Sequence, residues 1–193
     1  MEAQHKKHQG DILAPAERMD ISTPPATARA PVRLHLGCGS RYLEGWTNVD
    51  RWSPDPKDLV ADVSALPFRP GSVDEIFASH VIEHLPRIAV PRVLAHWVGL
   101  LRPGGRLAVE CPDLEEVCRQ FLAADERHRQ GWWICVLYGL QHHRGEFHLN
   151  NFTPASLKAV LGQAGLVNIR LGPGHPQHAN SCGMRAEALK PGG

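Results

Sequence analysis

From about residue 32 onward, short runs of alternating apolar residues take turns with stretches in which apolar residues recur at helical spacing. Val32, Leu34 and Leu36 alternate with Arg33 and His35, which predicts a strand; the run stops at Gly37-Cys38-Gly39-Ser40. Two glycines at a strand end allow a tight turn and let a ligand approach the backbone where a side chain would block it. Residues 46–50 form a second strand-like run that ends in Asp50, and residues 59–62 a third that ends in Asp62. Further strands are expected at 73–79, 106–111, 166–171 and 183–189.

Three helices fit between these runs. The first, over 90–101, has Pro91 in its first turn, Leu94, Trp97, Val98 and Leu101 as its apolar stripe, and Pro103-Gly104-Gly105 as its stop. Asp113 is placed to cap a second, with Glu116 completing the capping pair and Leu114, Val117, Phe121 and Leu122 on the buried side. Thr153-Pro154 caps and starts a third, whose Leu157, Val160 and Leu161 face inward before Gly165. Between Gly39 and Trp46 there is room only for a turn or a single helical turn. The last two strands have no helix between them, which predicts an antiparallel hairpin at the end of an α/β sheet.

Residues 1–30 carry basic, Ala, Thr and Pro residues without apolar periodicity and read as a flexible tail. The domain is expected at 31–193, interrupted by a lid-like insertion at about 124–151. There an apolar, aromatic run, Gly131 to Leu140, precedes the polar Gln141-His142-His143-Arg144-Gly145-Glu146-Phe147-His148. A core role or a homodimer contact for Trp132 and Trp133 is an equal reading.

In open α/β sheets ligands sit outside the carboxyl ends of the strands. Asp50, at such an end beside the glycine turn, is placed to accept hydrogen bonds from ribose hydroxyls. Asp62 could accept from an adenine amine or serve as a turn or capping aspartate. A dinucleotide fingerprint fails, because Tyr42 stands where the third glycine belongs and the acid follows too soon; the absence of a phosphate-binding lysine excludes a P-loop. The loop after the fourth strand, Ser79-His80-Val81-Ile82-Glu83-His84-Leu85, brings two histidines and a glutamate to the same edge.

At 193 residues the chain can bury a full core, and a formal charge of +1 argues against a nucleic-acid partner. Five cysteines without a C-x-x-C pair suit reduced thiols, and no apolar stretch reaches the length of a membrane span, so a cytoplasmic setting is expected. His142, His143 and His148 could converge with Glu146. No spacing matches a zinc signature, however, and with twelve histidines in the chain clusters arise by chance, so no metal is expected.

The combination of Leu36-Gly37-Cys38-Gly39, Asp62 to Phe68, Ser72-Val73-Asp74, His80 to Leu85 and Leu101-Arg102-Pro103-Gly104-Gly105 resembles class I S-adenosylmethionine-dependent methyltransferases. Within them it is similar to the type 11 group whose loop reads E-H-L. Gly45-Trp46-Thr47-Asn48-Val49-Asp50 is similar to the pattern of a compact subgroup. The resemblance covers about residues 32–190. It implies a Rossmann-like, seven-stranded, mostly parallel sheet with helices on both faces and a C-terminal antiparallel hairpin. It also implies transferase activity (EC 2.1.1) with S-adenosylmethionine as cofactor. Gly37, Cys38 and Gly39 would pass beside the methionine part, Asp50 would hold the ribose, and Asp62 with Val63 would meet the adenine, with Ser40, Arg51 and Ser64 also among the cofactor-binding residues. Ser79 and His80 would border the sulfonium. A small-molecule or glycan hydroxyl is the expected acceptor, with His84, His80 and His148 as base candidates in that order. An amine acceptor and a non-catalytic partner subunit are the alternatives.

Overall fold

Seven strands form one sheet: β1 (Arg33–Leu36), β2 (Thr47–Asp50), β3 (Leu59–Val60), β4 (Val73–Ser79), β5 (Leu101–Pro112), β6 (Val167–Pro173) and β7 (Gly183–Leu189). Their spatial order is β3-β2-β1-β4-β5-β7-β6. The structure is a computed structural model that describes residues 29–52, 55, 57–174 and 182–192. Residues 31–193 make one unit and residues 1–30 another; the tail expected at 1–30 lies outside the described residues except for Arg29 and Ala30. β1 pairs in parallel with β2 and β4, β2 with β3, and β4 with β5, whereas β7 runs antiparallel to both β5 and β6. The hairpin expected at the sheet's end is therefore present.

Strand alternation sorts the side chains. Leu34 and Leu36 of β1 join Ile76 and Ala78 of β4 and Leu107 and Val109 of β5 in the main core, packed with α1 (Val90–Leu100) and α5 (Pro154–Gln163). The α1 stripe of Val93, Leu94 and Trp97 is wholly buried, and the Trp97 indole N–H donates to the Val63 carbonyl at 2.8 Å. Thr153 caps α5 through a reciprocal pair with Ser156, as a Thr-Pro start favours.

On the opposite side of β1, His35 stacks on Phe77 of β4, with ring centroids 5.3 Å apart. Asn48 holds the segment after the glycine turn: its amide donates to the Leu43 and Trp46 carbonyls, and its oxygen accepts from the Leu43 N–H and from His35 Nδ1. That segment contains no helix, as its length requires.

Three sequence expectations need correction. α1 ends one residue early, because Leu101 is already extended and pairs with Val73; Pro103-Gly104-Gly105 lies within β5 rather than before it. In α2 (Leu114–Ala123), Asp113 caps by accepting from the Glu115 N–H, while the Glu116 carboxylate pairs with Arg119 and Gln120 instead of reaching back. Leu122 is exposed, not buried, since it stands about 140° around the helix from Val117, the residue that α2 buries.

The 124–151 segment forms α3 (Glu126–His128), a π-helical turn (Arg129–Trp133), α4 (Ile134–Tyr138) and a 3-10 turn (Arg144–Glu146). Trp133 is buried beside Val117 and Cys182, whereas Trp132 is about half exposed. Among the described residues no helix is long and apolar enough to cross a membrane.

Candidate active site

The carboxyl ends of β1, β2 and β4 open into a cavity of about 650 Å³ whose walls include Gly37, Gly39, Ser40, Asp50, Asp62 and His80. The glycine turn sets its floor. Gly37 has φ +63°, and a Cβ there would meet Val81 Cγ2 at 2.3 Å; Gly39 has φ +50°, and a Cβ there would meet no protein atom within 4 Å. One glycine thus lets the loop close onto the turn after β4, and the other leaves open space at the cavity wall.

Backbone donors fix both carboxylates. Asp50 Oδ2 accepts from the Gly39 N–H at 3.0 Å, and its Oδ1 from the Trp52 N–H at 2.6 Å. Asp62 Oδ1 accepts from the Ser64 N–H at 2.8 Å, and its Oδ2 pairs with Arg51, whose guanidinium lies 4.9 Å from the Trp52 ring. Burial works against the charge on Asp62, but the bonds from Ser64 and Arg51 outweigh it and hold the carboxyl below its usual range. Val63 and Ser64 line the same wall, as does Arg51.

Two of the expected cofactor residues point elsewhere. The Cys38 side chain is buried, its thiol pushed up by burial and by the nearby Asp50, and does not line the cavity. The Ser79 hydroxyl is also buried and donates to Glu110 Oε2 at 3.0 Å; Arg185 pairs with the other oxygen at 2.9 Å.

His80 follows β4 in the left-handed region, with φ +53°, which is costly for a residue with a side chain. Its Nδ1 donates to Glu83 Oε1 at 2.9 Å. Burial opposes the imidazolium, yet the bond to Glu83 and its charge more than offset this and raise His80 above the ordinary value; the same pairing overcomes burial to lower Glu83. Glu83 Oε2 is buried and has no hydrogen-bond partner.

His84 Nδ1 donates to the Phe147 carbonyl at 3.0 Å, and His148 Nδ1 to the Val136 carbonyl at 2.9 Å. The two rings meet edge to face with centroids 4.8 Å apart. All three base candidates therefore come together. His84 lines the large cavity, and His148 lines a second cavity of about 220 Å³ with Trp132, Cys135, Val136, Leu140 and Cys182. His80 lines both.

The polar half of the insertion also reaches the large cavity, through residues 143–146. Gly145 sits so close to Trp52 that a Cβ would meet its Cδ1 at 2.6 Å. His142 and His143 pair with Glu146 at 3.2 and 3.5 Å, so they do not join His148 in one cluster. Sequence reasoning missed the wall contributed by Trp52 and Arg92; the only sequence signal for the former was its place two residues after Asp50.

Residues 47–109 match the family profile described as Methyltransferase domain. No curated protein sequence matches the chain. Among solved structures, a possible exported protein from Bordetella parapertussis superposes with a TM-score of 0.57 at 18% identity, over 84% of this chain and 62% of that one. The chain therefore spans just under two thirds of that relative. A SAM-dependent methyltransferase from Archaeoglobus fulgidus gives 0.58 at 12% identity, over 84% and 87% of the two chains. The Burkholderia thailandensis 1,6-didemethyltoxoflavin-N1-methyltransferase, solved with bound 1,6-didemethyltoxoflavin and S-adenosylhomocysteine, gives 0.55 at 19% identity, over 83% and 72%. At these identities the likeness is one of fold, and that fold is the Rossmann-like one of S-adenosylmethionine-dependent methyltransferases.

Proposed function

We propose that the chain binds S-adenosylmethionine in the large cavity and transfers its methyl group to a hydroxyl of a small acceptor, such as a sugar, held in the smaller cavity. The carrying observation is the junction of the two cavities at His80, beside a wall built from Gly37, Gly39, Asp50 and Asp62. The residues present fit the cofactor. The open space over Gly39 leaves room for its methionine part, and Asp50, fixed by two backbone donors, is oriented to receive a ribose diol. Asp62 would receive the adenine amine once Arg51 turns aside.

The cofactor supplies a methyl group on a positively charged sulfur, so the protein's main task is to align the acceptor with it. The backbone turn at Gly37 and Gly39 and the Asp50 carboxylate fix one partner. The walls formed by Trp132, Val136 and Leu140 give the other an apolar surface to rest on. A hydroxyl must also lose a proton, and His80 is the best placed base. Its Nδ1–H is held by the buried Glu83, which fixes the ring, and it lines both cavities. This ranks His80 ahead of His84. Among the described residues no carboxylate lines the smaller cavity, which favours a hydroxyl over a cationic amine.

Replacing His80 by Asn, which tolerates positive φ, tests the assignment. Turnover should fall by ~10²–10⁴-fold while S-adenosylhomocysteine affinity stays near wild type. Equal loss of both would refute the role.

A further inference from the structure

We propose that Glu83, His84 and His148 bind a divalent transition-metal ion of the zinc type at the junction of the two cavities. One donor atom from each lies within 4.8 Å of the others. Tetrahedral ligands about 2.0–2.1 Å from zinc stand roughly 3.4 Å apart, so the site closes by a shift of about 1.4 Å.

Three independent features prepare these side chains as ligands. A buried carboxylate oxygen without a partner is expensive, and Glu83 Oε2 is one, while His80 holds the other oxygen. Carbonyl oxygens only accept, so His84 and His148 must each carry their proton on Nδ1, which leaves Nε2 as the lone-pair nitrogen of each ring; metal-binding histidines are fixed in this way. The strand of chain that carries His148 is tied to the Glu83 turn, because the Leu149 and Asn150 N–H groups both donate to the Glu83 carbonyl, at 2.8 and 3.0 Å.

Two histidines and one glutamate leave a fourth position open, as in catalytic rather than structural zinc sites. His84 lines the larger cavity and His148 the smaller, so the ligand set reaches the walls of both. Its use rests on the methyl-transfer reading: an acceptor hydroxyl taking the position would be more acidic and would give up its proton more readily to the base, His80. Metal binding itself does not depend on that reading.

The test is titration of the full chain, stripped with a chelator and free of cofactor, with cobalt(II), followed by visible absorption and by metal content. Expected is one equivalent bound, with the absorption of a four- or five-coordinate site, displaced by zinc. Glu83→Gln and His148→Asn should each weaken binding by more than the ~10–100-fold that an outer partner is worth. The exposed pair His142→Ala/His143→Ala should leave it unchanged. The partly exposed His148→Asn keeps the test decisive if Glu83→Gln fails to fold, which melting curves would show. No stoichiometric binding, binding that survives both ligand variants, or binding lost with His142 and His143 would overturn the proposal. S-adenosylhomocysteine titrated into the same metal-free protein separates this result from the methyl-transfer reading.

Discussion

The two glycines of the β1 turn should fail in opposite ways when each is replaced by alanine. Both have positive φ, which costs a residue with a Cβ about 1–2 kcal/mol. At Gly37 the added carbon meets Val81 Cγ2 at 2.3 Å, and Val81 is buried in the core, so it cannot move aside freely. Overpacking of this kind costs a further 1–3 kcal/mol or so. Gly37→Ala should therefore lose about 2–5 kcal/mol. For a chain of this length that lowers Tm by roughly 4–20 °C. At Gly39 the added carbon meets no protein atom, so Gly39→Ala should melt only a few degrees below wild type, but its methyl would take up ligand space. Its affinity for S-adenosylhomocysteine should fall at least tenfold. Thermal melting and calorimetric titration of the two variants decide the matter. A Gly37→Ala protein as stable as wild type, or a Gly39→Ala protein with undiminished affinity, would refute the reasoning.

Other residues give further expectations. Burial holds His35 below its ordinary value of 6.5, with the Asn48 bond offsetting part of that. The unfolded chain then takes up this proton first, so folding stability falls as pH drops through 6.5 toward the folded value. His35→Gln should lose less stability than wild type over that interval in denaturant titrations, and parallel pH profiles would argue otherwise. Trp97→Ala should cost about 3–5 kcal/mol in urea unfolding, since a wholly buried indole and its bond to the Val63 carbonyl are both removed; a loss under 1 kcal/mol would mean that the α1 face repacks. All five cysteines are free, and Cys118 alone is exposed. A thiol reagent should label Cys118 first and Cys111 last, because burial pushes the Cys111 thiol far up; early labelling of Cys111 would contradict the packing.

Much of the large cavity's wall was legible in the sequence, because strand alternation locates strand ends and the fold gathers those ends at one edge. Gly39, Asp50, Asp62 and His80 all reach the cavity on that logic. Local spacing could not say that Cys38, between two half-buried glycines, would point its thiol inward, or that Ser79 would turn to Glu110. Nor could it bring His148 to Glu83 and His84, since that contact depends on two backbone bonds across more than sixty residues. His142 and His143, adjacent in sequence, pair with Glu146 beside them. Leu122 misled for a simpler reason, as an apolar residue near the end of a short helix need not share its buried stripe.

The most direct measurement is calorimetric titration of the full chain with S-adenosylmethionine and S-adenosylhomocysteine, with NAD in parallel and Asp50→Ala as the control. Expected is micromolar binding of both sulfur nucleotides and none of NAD. Asp50→Ala should weaken it by at least about tenfold, the equivalent of one hydrogen bond to a charged group at about 1.5–3 kcal/mol. A folded protein that binds neither sulfur nucleotide, or binds them equally well without Asp50, would contradict the cofactor site and the methyl-transfer reading built on it.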